Sequence, residues 1–144
     1  MQVDSTNLLT TFRILRADVG QVDPQKFFLS GGEYINEDLF MELALLSDVE
    51  EVLDKLQRTP YGPQLEAVIL NYAEENSFSV FERALENYVI RLAISAGRGD
   101  PLGIGVIISY LWAKQNEITN LRIIVKGIVV QMPADRIRKE LILV

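Results

Sequence analysis

The chain has 144 residues, of which 49% are hydrophobic and 24% charged, and its formal net charge is -6. This length and balance are typical of one globular domain and exclude an intrinsically disordered chain. The sequence contains neither cysteine nor histidine, which excludes disulfides, thiolate metal sites and histidine-based catalysis. The N-terminal residues lack a signal-peptide pattern, and the apolar run Pro101–Ala113 is shorter than the roughly 20 residues that a membrane-spanning helix needs. We therefore expect no transmembrane segment.

The charges are unevenly distributed along the chain. Residues 33–86 carry thirteen acids against three bases, whereas the residues from 87 onward carry four acids against eight bases. An acidic middle disfavours DNA or RNA as the main partner, because phosphates are neutralised by clustered Lys and Arg. The acidic stretch is either a solvated helix surface or a face that attracts a basic protein.

The first predicted element is an amphipathic helix over Asp4–Ala17. Its apolar residues recur at helical spacing, and Asp4 or Ser5 is a suitable N-cap. Glycine and proline then break the pattern within residues 20–24 and again at residues 30–32. The helical residues on the apolar face are Leu8, Leu9, Phe12 and Leu15.

The middle of the chain predicts four further helices. A short helix over residues 39–46 should end where Ser47 and Glu50 form a capping box for the next one. A single helix is predicted over residues 65–72, where apolar side chains follow the i, i+3, i+4, i+7 pattern. The clearest helix runs over Ser79–Ala96, with apolar pairs every four residues.

The C-terminal part is ambiguous between helix and strand, because residues 101–116 and 118–130 are rich in β-branched side chains. Neither segment alternates with period two, and the apolar residues of the second lie on one helical face. A last helix is predicted over Ala134–Leu143, with Pro133 near its start. The fold class is therefore predicted as all-α, a single bundle of seven or eight helices over residues 1–144.

Several residue groups could carry chemistry, and each has a structural alternative. The glycines between Gly97 and Gly105 lack the lysine and hydroxyl of a phosphate loop, so we expect a helix C-cap followed by close helix packing. The carboxylate pairs on predicted helices, without histidine beside them, are expected to be exposed surface. These pairs are Asp38 with Glu42 and Glu82 with Glu86.

Asn7 and Asn120 are polar residues inside apolar helical runs. Because an amide side chain can fix helix register, we predict that each makes a helix-to-helix hydrogen bond, repeated at both ends of one structural repeat; exposed asparagine is the alternative. The aromatic residues Tyr110 and Trp112 are either interface anchors or core.

A longer motif runs from Tyr110 to Gly127, and a shorter version, Thr6-Asn7-Leu8, opens the chain. The motif resembles the C-terminal part of the C subunit of A/V-type rotary ATPases, a family that also includes the d subunit of the vacuolar ATPase. Members of that family are usually more than twice as long and contain three helical repeats that form a funnel, so the chain resembles about one repeat, at the C-terminal end. Ile128 stands where the family usually has lysine. The positions that match are Asn7, Tyr110, Leu111, Lys114, Glu117, Asn120, Leu121, Arg122, Gly127, Pro133, Ile137, Arg138, Glu140 and Leu141.

The resemblance implies a non-catalytic rotor adaptor. Its partners would be the central-shaft subunits and the membrane proteolipid ring, on the cytoplasmic side of the membrane, with no cofactor, metal, nucleotide or nucleic acid bound. The family-motif positions expected to be structural or to contact partners are Asn7, Tyr110, Lys114, Glu117, Asn120, Arg122 and Arg138. The alternative is an unrelated helical interaction scaffold, and an isolated fragment could self-associate.

Overall fold

The structure is a computed structural model that describes residues 1–17, 23–98 and 103–143. Within those ranges it contains eight α-helices and no strand, so the all-α prediction is confirmed. The predicted break at Gly20 lies outside the described residues, as does Gly99 among the glycines between Gly97 and Gly105. The helices are α1 Gln2–Arg16, α2 Glu37–Ala44, α3 Val49–Leu56, α4 Gly62–Glu66, α5 Ile69–Glu75, α6 Ser79–Ser95, α7 Ile104–Val129 and α8 Ala134–Glu140, with 3-10 turns at Pro24–Phe27 and Ala96–Arg98.

The chain divides into two compact units, Met1–Val89 (unit 1) and Ile90–Val144 (unit 2). Unit 1 contains α1 to α5 and most of α6, and unit 2 contains the end of α6 together with α7 and α8. The organisation of residues 1–144 as one domain stays a prediction.

Unit 1 is built around one hydrophobic core to which α1 contributes its apolar face. Leu8 and Phe12 are buried there, and the Phe12 ring stacks on Phe81 of α6 with ring centroids 4.8 Å apart. Each fully buried side chain of this kind contributes about 1.5–3 kcal/mol, so packing holds these short helices together. The other buried apolar residues of the core are Ile14, Ile35, Phe40, Leu43, Ala44, Val49, Val52, Leu53, Leu56, Tyr61, Leu65 and Leu85.

Two predicted helix starts are wrong. Helix α1 begins at Gln2, so Asp4 lies inside its first turn instead of capping it. Helix α3 is capped by Asp48, whose side chain accepts from the amide of Glu50, and the predicted capping box of Ser47 with Glu50 does not form. Adjacent residues that are both good caps cannot be separated by sequence, and the aspartate one position later takes the role here.

The single helix predicted over residues 65–72 is two helices, α4 and α5. Val68 has φ -113° and ψ 6°, which interrupts the helical ladder between them. Leu65, Val68 and Tyr72 nevertheless all belong to or pack against the unit 1 core, as one helical face would. Periodicity continued across this kink, so the sequence alone did not locate it.

In unit 2, the two ambiguous segments form one continuous helix, α7, of 26 residues. Its first turn lies against the 3-10 turn at Ala96–Arg98, and a Cβ added to Gly105 would lie 2.6 Å from the carbonyl oxygen of Ala96. The close packing predicted for Gly97 and Gly105 is therefore present. At the other end, Gly127 leaves room for Ile137 of α8.

The last helix is shorter than the predicted Ala134–Leu143. It ends at Glu140, and Leu141 has φ -74° and ψ 138°, an extended conformation. The backbone of Ile142 thereby becomes available for hydrogen bonds to other residues, as described next.

Candidate functional site

Asn7, on α1, holds the backbone of a segment that is not helical. Its Nδ2 donates to the carbonyl oxygen of Leu29 at 2.9 Å, and its Oδ1 accepts from the amide of Leu29 at 3.0 Å. The Asn7 side chain is completely buried. The backbone amide and carbonyl of Leu29 are therefore both hydrogen-bonded to the side chain of Asn7. We call this pair of hydrogen bonds the Asn7 clamp.

Asn120, on α7, makes the same arrangement in unit 2. Its Nδ2 donates to the carbonyl oxygen of Ile142 at 2.9 Å, and its Oδ1 accepts from the amide of Ile142 at 3.0 Å. Asn116, one turn earlier, also donates to the Ile142 carbonyl at 3.0 Å. We call the bonds between Asn120 and Ile142 the Asn120 clamp.

The two clamps show that the short motif repeats in structure as well as in sequence. Residues 7 and 120 are 113 positions apart, and so are residues 29 and 142. The prediction of a helix-to-helix hydrogen bond was wrong in its partner, because each asparagine binds extended or loop backbone. The physical reason is that helical backbone has already used its amides and carbonyls, whereas a non-helical residue offers both groups.

Asp4 forms a second anchor on α1. Its Oδ1 accepts from the amides of Tyr34 at 3.2 Å and Ile35 at 3.0 Å, and its Oδ2 accepts from the amide of Glu33 at 3.2 Å. Tyr61 donates its hydroxyl to Oδ2 at 3.1 Å. The N-terminal amine of Met1 lies 3.2 Å from the same oxygen. One buried carboxylate thus holds three successive backbone amides.

The charge of Asp4 is stabilised by these donors. Burial by itself raises the pKa of Asp4, but the amides of Ile35 and Glu33 and the N-terminal amine outweigh it, so the pKa lies below its ordinary value. Burial and then the adjoining Asp4 carboxylate raise the pKa of Tyr61. Sequence reasoning missed this anchor, although Asp4 precedes Asn7 by the same three positions that separate Glu117 from Asn120.

The other five motif positions expected to be structural or to contact partners lie on the surface of unit 2. Lys114 donates to Glu117 at 2.7 Å, and this hydrogen bond raises the pKa of Lys114. Tyr110 and Arg122 on α7 and Arg138 on α8 are exposed. Asn7 and Asn120 thus make hydrogen bonds within their own units, whereas the other five side chains are exposed, and their contact with partners stays a prediction.

One face of α7 is apolar and exposed. We define the front of α7 as the side chains of Ile118, Leu121, Val125 and Ile128, which follow one another at spacings of three, four and three residues. More than half of the surface of Leu121, Val125 and Ile128 is exposed. No helix in the described ranges is long and apolar enough to cross a membrane, α7 included.

Unit 2 also contains a cleft of about 490 Å³ lined by Arg91, Ile94, Arg98, Ala113 and Leu143. Arg91 donates to the backbone carbonyl of Leu143 at 3.3 Å, which occupies part of its hydrogen-bonding capacity. Among residues 1–17, 23–98 and 103–143, no cluster of three or more carboxylates is placed to hold a metal ion.

One carboxylate of each pair singled out from the sequence forms a surface ion pair. Glu42 pairs with Lys55, and Glu82 lies 3.2 Å from Arg13. These side chains are about half exposed, so the pairs contribute little to stability. The ion pairs join helices of unit 1, and the exposure of the carboxylates agrees with the surface interpretation.

Comparison with known proteins gives one family. The profile of the family described as ATP synthase (C/AC39) subunit matches residues 1–140. The chain is 35% identical over 126 residues to the C subunit of the A-type ATP synthase of Methanobrevibacter smithii, covering 88% of this chain and 33% of that protein. It is 30% identical over 142 residues to the corresponding C subunit of Haloferax volcanii, covering 99% of this chain and 40% of that protein.

The relatives are much longer than this chain. A third example, the A-type ATP synthase C subunit of Methanothermobacter thermautotrophicus, is 31% identical over 125 residues, which are 87% of this chain and 32% of that protein. The chain therefore spans about a third to two fifths of the length of these relatives. No solved structure matches it.

Proposed function

The chain belongs to the ATP synthase (C/AC39) subunit family, and we propose that it serves as a non-catalytic rotor adaptor of an A-type ATP synthase, coupling the central shaft to the membrane proteolipid ring. The observation that carries this proposal is the family match across residues 1–140. The match removes the alternative in which the resemblance of the Asn-Leu-Arg motif arose by chance. ATP chemistry and ion translocation would then take place on other subunits.

The internal construction supports a mechanical role. A part that transmits torque has to resist deformation, and α1 and α7 are each tied to a distant stretch of backbone by a two-bond clamp. Asp4 adds three amide bonds and a tyrosine bond in unit 1. Buried polar groups that are fully hydrogen-bonded rigidify and specify one arrangement. The chain contains neither histidine nor cysteine from which a common catalytic constellation could be built.

The surfaces suggest how partners would attach. Residues 33–86 carry a local excess of ten negative charges, and helix α3 presents Glu50, Glu51 and Asp54 to solvent. We propose that the α3 part of this acidic region faces a basic surface of a neighbouring subunit, because complementary charge steers association. The motif residues Tyr110, Arg122 and Arg138 are proposed as further contacts. The protein would then be held peripherally at the cytoplasmic side of the membrane, through the complex.

The test is an affinity capture of the tagged chain from its native cell extract in mild detergent, with the captured proteins identified by mass spectrometry. We expect shaft or proteolipid-ring subunits of the ATP synthase to be enriched over an untagged control. Reproducible capture of a different set of proteins, or the absence of every ATP synthase subunit, would contradict the proposal.

A triple variant tests the acidic contact separately. Changing Glu50, Glu51 and Asp54 of α3 to Gln, Gln and Asn should reduce the amount of captured partner. It should also make the remaining capture less sensitive to added salt, because added ions screen exposed charges. The matched control neutralises Glu66, Glu74 and Glu75 of α4 and α5 in the same way and should leave capture unchanged. Equal capture by both triple variants and by the native chain would remove α3 from the contact.

A further inference from the structure

The turn that joins α7 to α8 exposes adjacent apolar side chains to water. Val129 is 74% exposed and Val130 67%, and Met132 is half-buried. We call residues 129–132 the α7–α8 tip. Side chains as exposed as these two valines add little to the core of unit 2, so their apolar character needs another explanation.

The internal repeat does not account for the tip. The separation of 113 residues that relates the two clamps pairs Val129 with Arg16 and Val130 with Ala17, at the end of α1. Arg16 and Ala17 are exposed in unit 1, so the core that buries the apolar face of α1 does not reach these positions. None of the four tip residues is a family-motif position either. The valines are therefore a feature of this turn and not of the repeat.

The backbone amides of the tip already have partners. Gln131 has φ 55°, in the left-handed region, and its amide donates to the carbonyl oxygen of Ile128 at 3.0 Å. The amide of Met132 donates to the carbonyl oxygen of Gly127 at 2.8 Å. These two bonds are the Schellman arrangement that closes the C-terminus of a helix. Because unpaired backbone groups oppose entry into an apolar phase, their pairing lowers the cost of burying the tip there.

Three exposed cations lie close to the tip in the chain. Lys126 precedes Val129 and Val130 by three and four positions, which places it on the same side of α7. Arg136 and Lys139 lie on α8, directly after the tip. Residues 122–140 carry five bases and two acids, although the whole chain has a net charge of -6. The apolar tip is thus set in a locally positive part of an acidic chain.

The equivalent cations of unit 1 are neutralised, and those of unit 2 are not. Arg13, which corresponds to Lys126, lies 3.2 Å from Glu82. Lys26, which corresponds to Lys139, lies 3.6 Å from Asp23, and the counterpart of Asp23 in unit 2 is Arg136. Within the described part of the chain, no acid forms an ion pair with the three cations near the tip. They are free to bind an external anion.

We propose that the α7–α8 tip, together with Lys126, Arg136 and Lys139, is a docking site for the anionic surface of a lipid bilayer. The valines enter between the headgroups, and the cations pair with lipid phosphates. A bilayer offers negative charge and hydrocarbon at one surface, which matches the pairing of exposed aliphatic side chains with free cations. An acidic protein surface would satisfy the cations alone. The inference does not rest on the proposed function, because it requires no other subunit.

The test is sedimentation of the full chain with vesicles. We expect binding to vesicles of phosphatidylglycerol and phosphatidylcholine in equal parts, little binding to phosphatidylcholine alone, and a loss of binding as salt is added. Changing Lys126, Arg136 and Lys139 together to Gln should weaken binding about a hundredfold, since each cation near an anionic leaflet contributes about a factor of five. Val129→Ser with Val130→Ser should weaken it about tenfold, since each partly inserted valine contributes about a factor of three.

Matched variants control for net charge and for general stickiness. Changing Arg13, Lys55 and Arg58 together to Gln removes three exposed cations from unit 1 and lowers the net charge of the chain by the same amount. Leu70→Ser removes a side chain of α5 that is 75% exposed. Both controls should bind anionic vesicles as the native chain does. Circular dichroism checks that every variant is folded.

A fluorescent label reports which part of the chain enters the bilayer. The sequence has no cysteine, so Val130→Cys provides a single thiol for a nitrobenzoxadiazole dye. Its emission should rise and shift to the blue with anionic vesicles, whereas dye on Leu121→Cys, in the front of α7, or on Leu70→Cys should not respond.

Four results would overturn the proposal. They are an absence of binding to anionic vesicles, equal binding to phosphatidylcholine alone, equal binding by the Lys126, Arg136 and Lys139 triple variant and by its control, and a dye response at position 121 without one at position 130. If the chain ignores vesicles while that triple variant loses captured ATP synthase subunits, the cations contact protein instead. Failure of the capture experiment alone would contradict the proposed function and leave the vesicle result unchanged.

Discussion

Helices α1 and α7 carry one motif in two surroundings. Both hold a distant backbone residue through an asparagine clamp, and both place a carboxylate three positions before that asparagine. In unit 1 the carboxylate and the apolar face are buried by the chain that follows, and in unit 2 they are exposed. The difference teaches that the clamp forms whether or not the apolar face beside it is covered, whereas the stability that the apolar face contributes depends on the residues that cover it.

The largest contrast should come from the paired leucines. Leu8→Ala removes a fully buried side chain from the unit 1 core and should destabilise the protein by about 2–5 kcal/mol, through lost burial and the cavity left behind. Leu121→Ala, at the equivalent and exposed position, should change stability by no more than about 0.5 kcal/mol. Urea unfolding followed by circular dichroism measures both. Equal effects of the two changes would show that the front of α7 is covered in solution.

The second largest contrast in stability should come from the paired carboxylates, Asp4 and Glu117. Asp4→Asn replaces an acceptor of three amides by a group that is half donor, and we expect a loss of about 1.5–3 kcal/mol, the range for hydrogen bonds to a charged group. Glu117→Gln breaks only an exposed ion pair and should change stability by less than about 1 kcal/mol. The same unfolding experiment applies. A neutral Asp4→Asn variant would argue against the anchor.

The acid sensitivity of the fold should follow Asp4. Because the pKa of Asp4 in the folded protein lies below its ordinary value of 3.8, the carboxylate contributes its full stability above that pH. The contribution is lost as the pH falls through the lower, folded-state pKa. We expect the stability difference between the native chain and Asp4→Asn to shrink as the pH is lowered below 3.8. A difference that stays constant through this range would contradict a stabilising charge at Asp4.

The smallest effects should come from the basic residues six positions after each asparagine, Arg13 and Lys126. Arg13 reaches Glu82 at 3.2 Å, but both side chains are largely exposed, so Arg13→Ala should cost about 0.2–1 kcal/mol and less at high salt. Lys126→Ala should cost still less. Thermal unfolding at low and high salt distinguishes them, and a large, salt-independent loss for Arg13→Ala would point to packing by its aliphatic stem instead.

Much of the fold could be predicted from sequence because helical periodicity is a local signal. The pattern located α6 to within one residue of its end and kept α7 helical despite many β-branched residues. Local signals did not distinguish Ser47 from Asp48, because both residue types are good caps. They did not reveal the kink at Val68 either, because the apolar periodicity continues across it.

The candidate site was harder to predict. The repetition of Asn7 and Asn120 was visible in the sequence, but their partners are backbone groups 22 residues away, and backbone carries no sequence signature. By residue type alone Asp4 is a suitable N-cap, because aspartate is among the residues preferred at that position. Only its position relative to Asn7, repeated by Glu117 and Asn120, marked it as part of the motif.

The central claim is that the two clamps are equivalent, and amide hydrogen exchange at Leu29 and Ile142 tests it most directly. In the native chain both amides should exchange slowly, because each donates to an asparagine Oδ1 at 3.0 Å. Asn7→Ala should release the Leu29 amide and leave Ile142 protected, and Asn120→Ala should do the reverse. An Ile142 amide that exchanges freely in the native chain, or that is unaffected by Asn120→Ala, would contradict the claim.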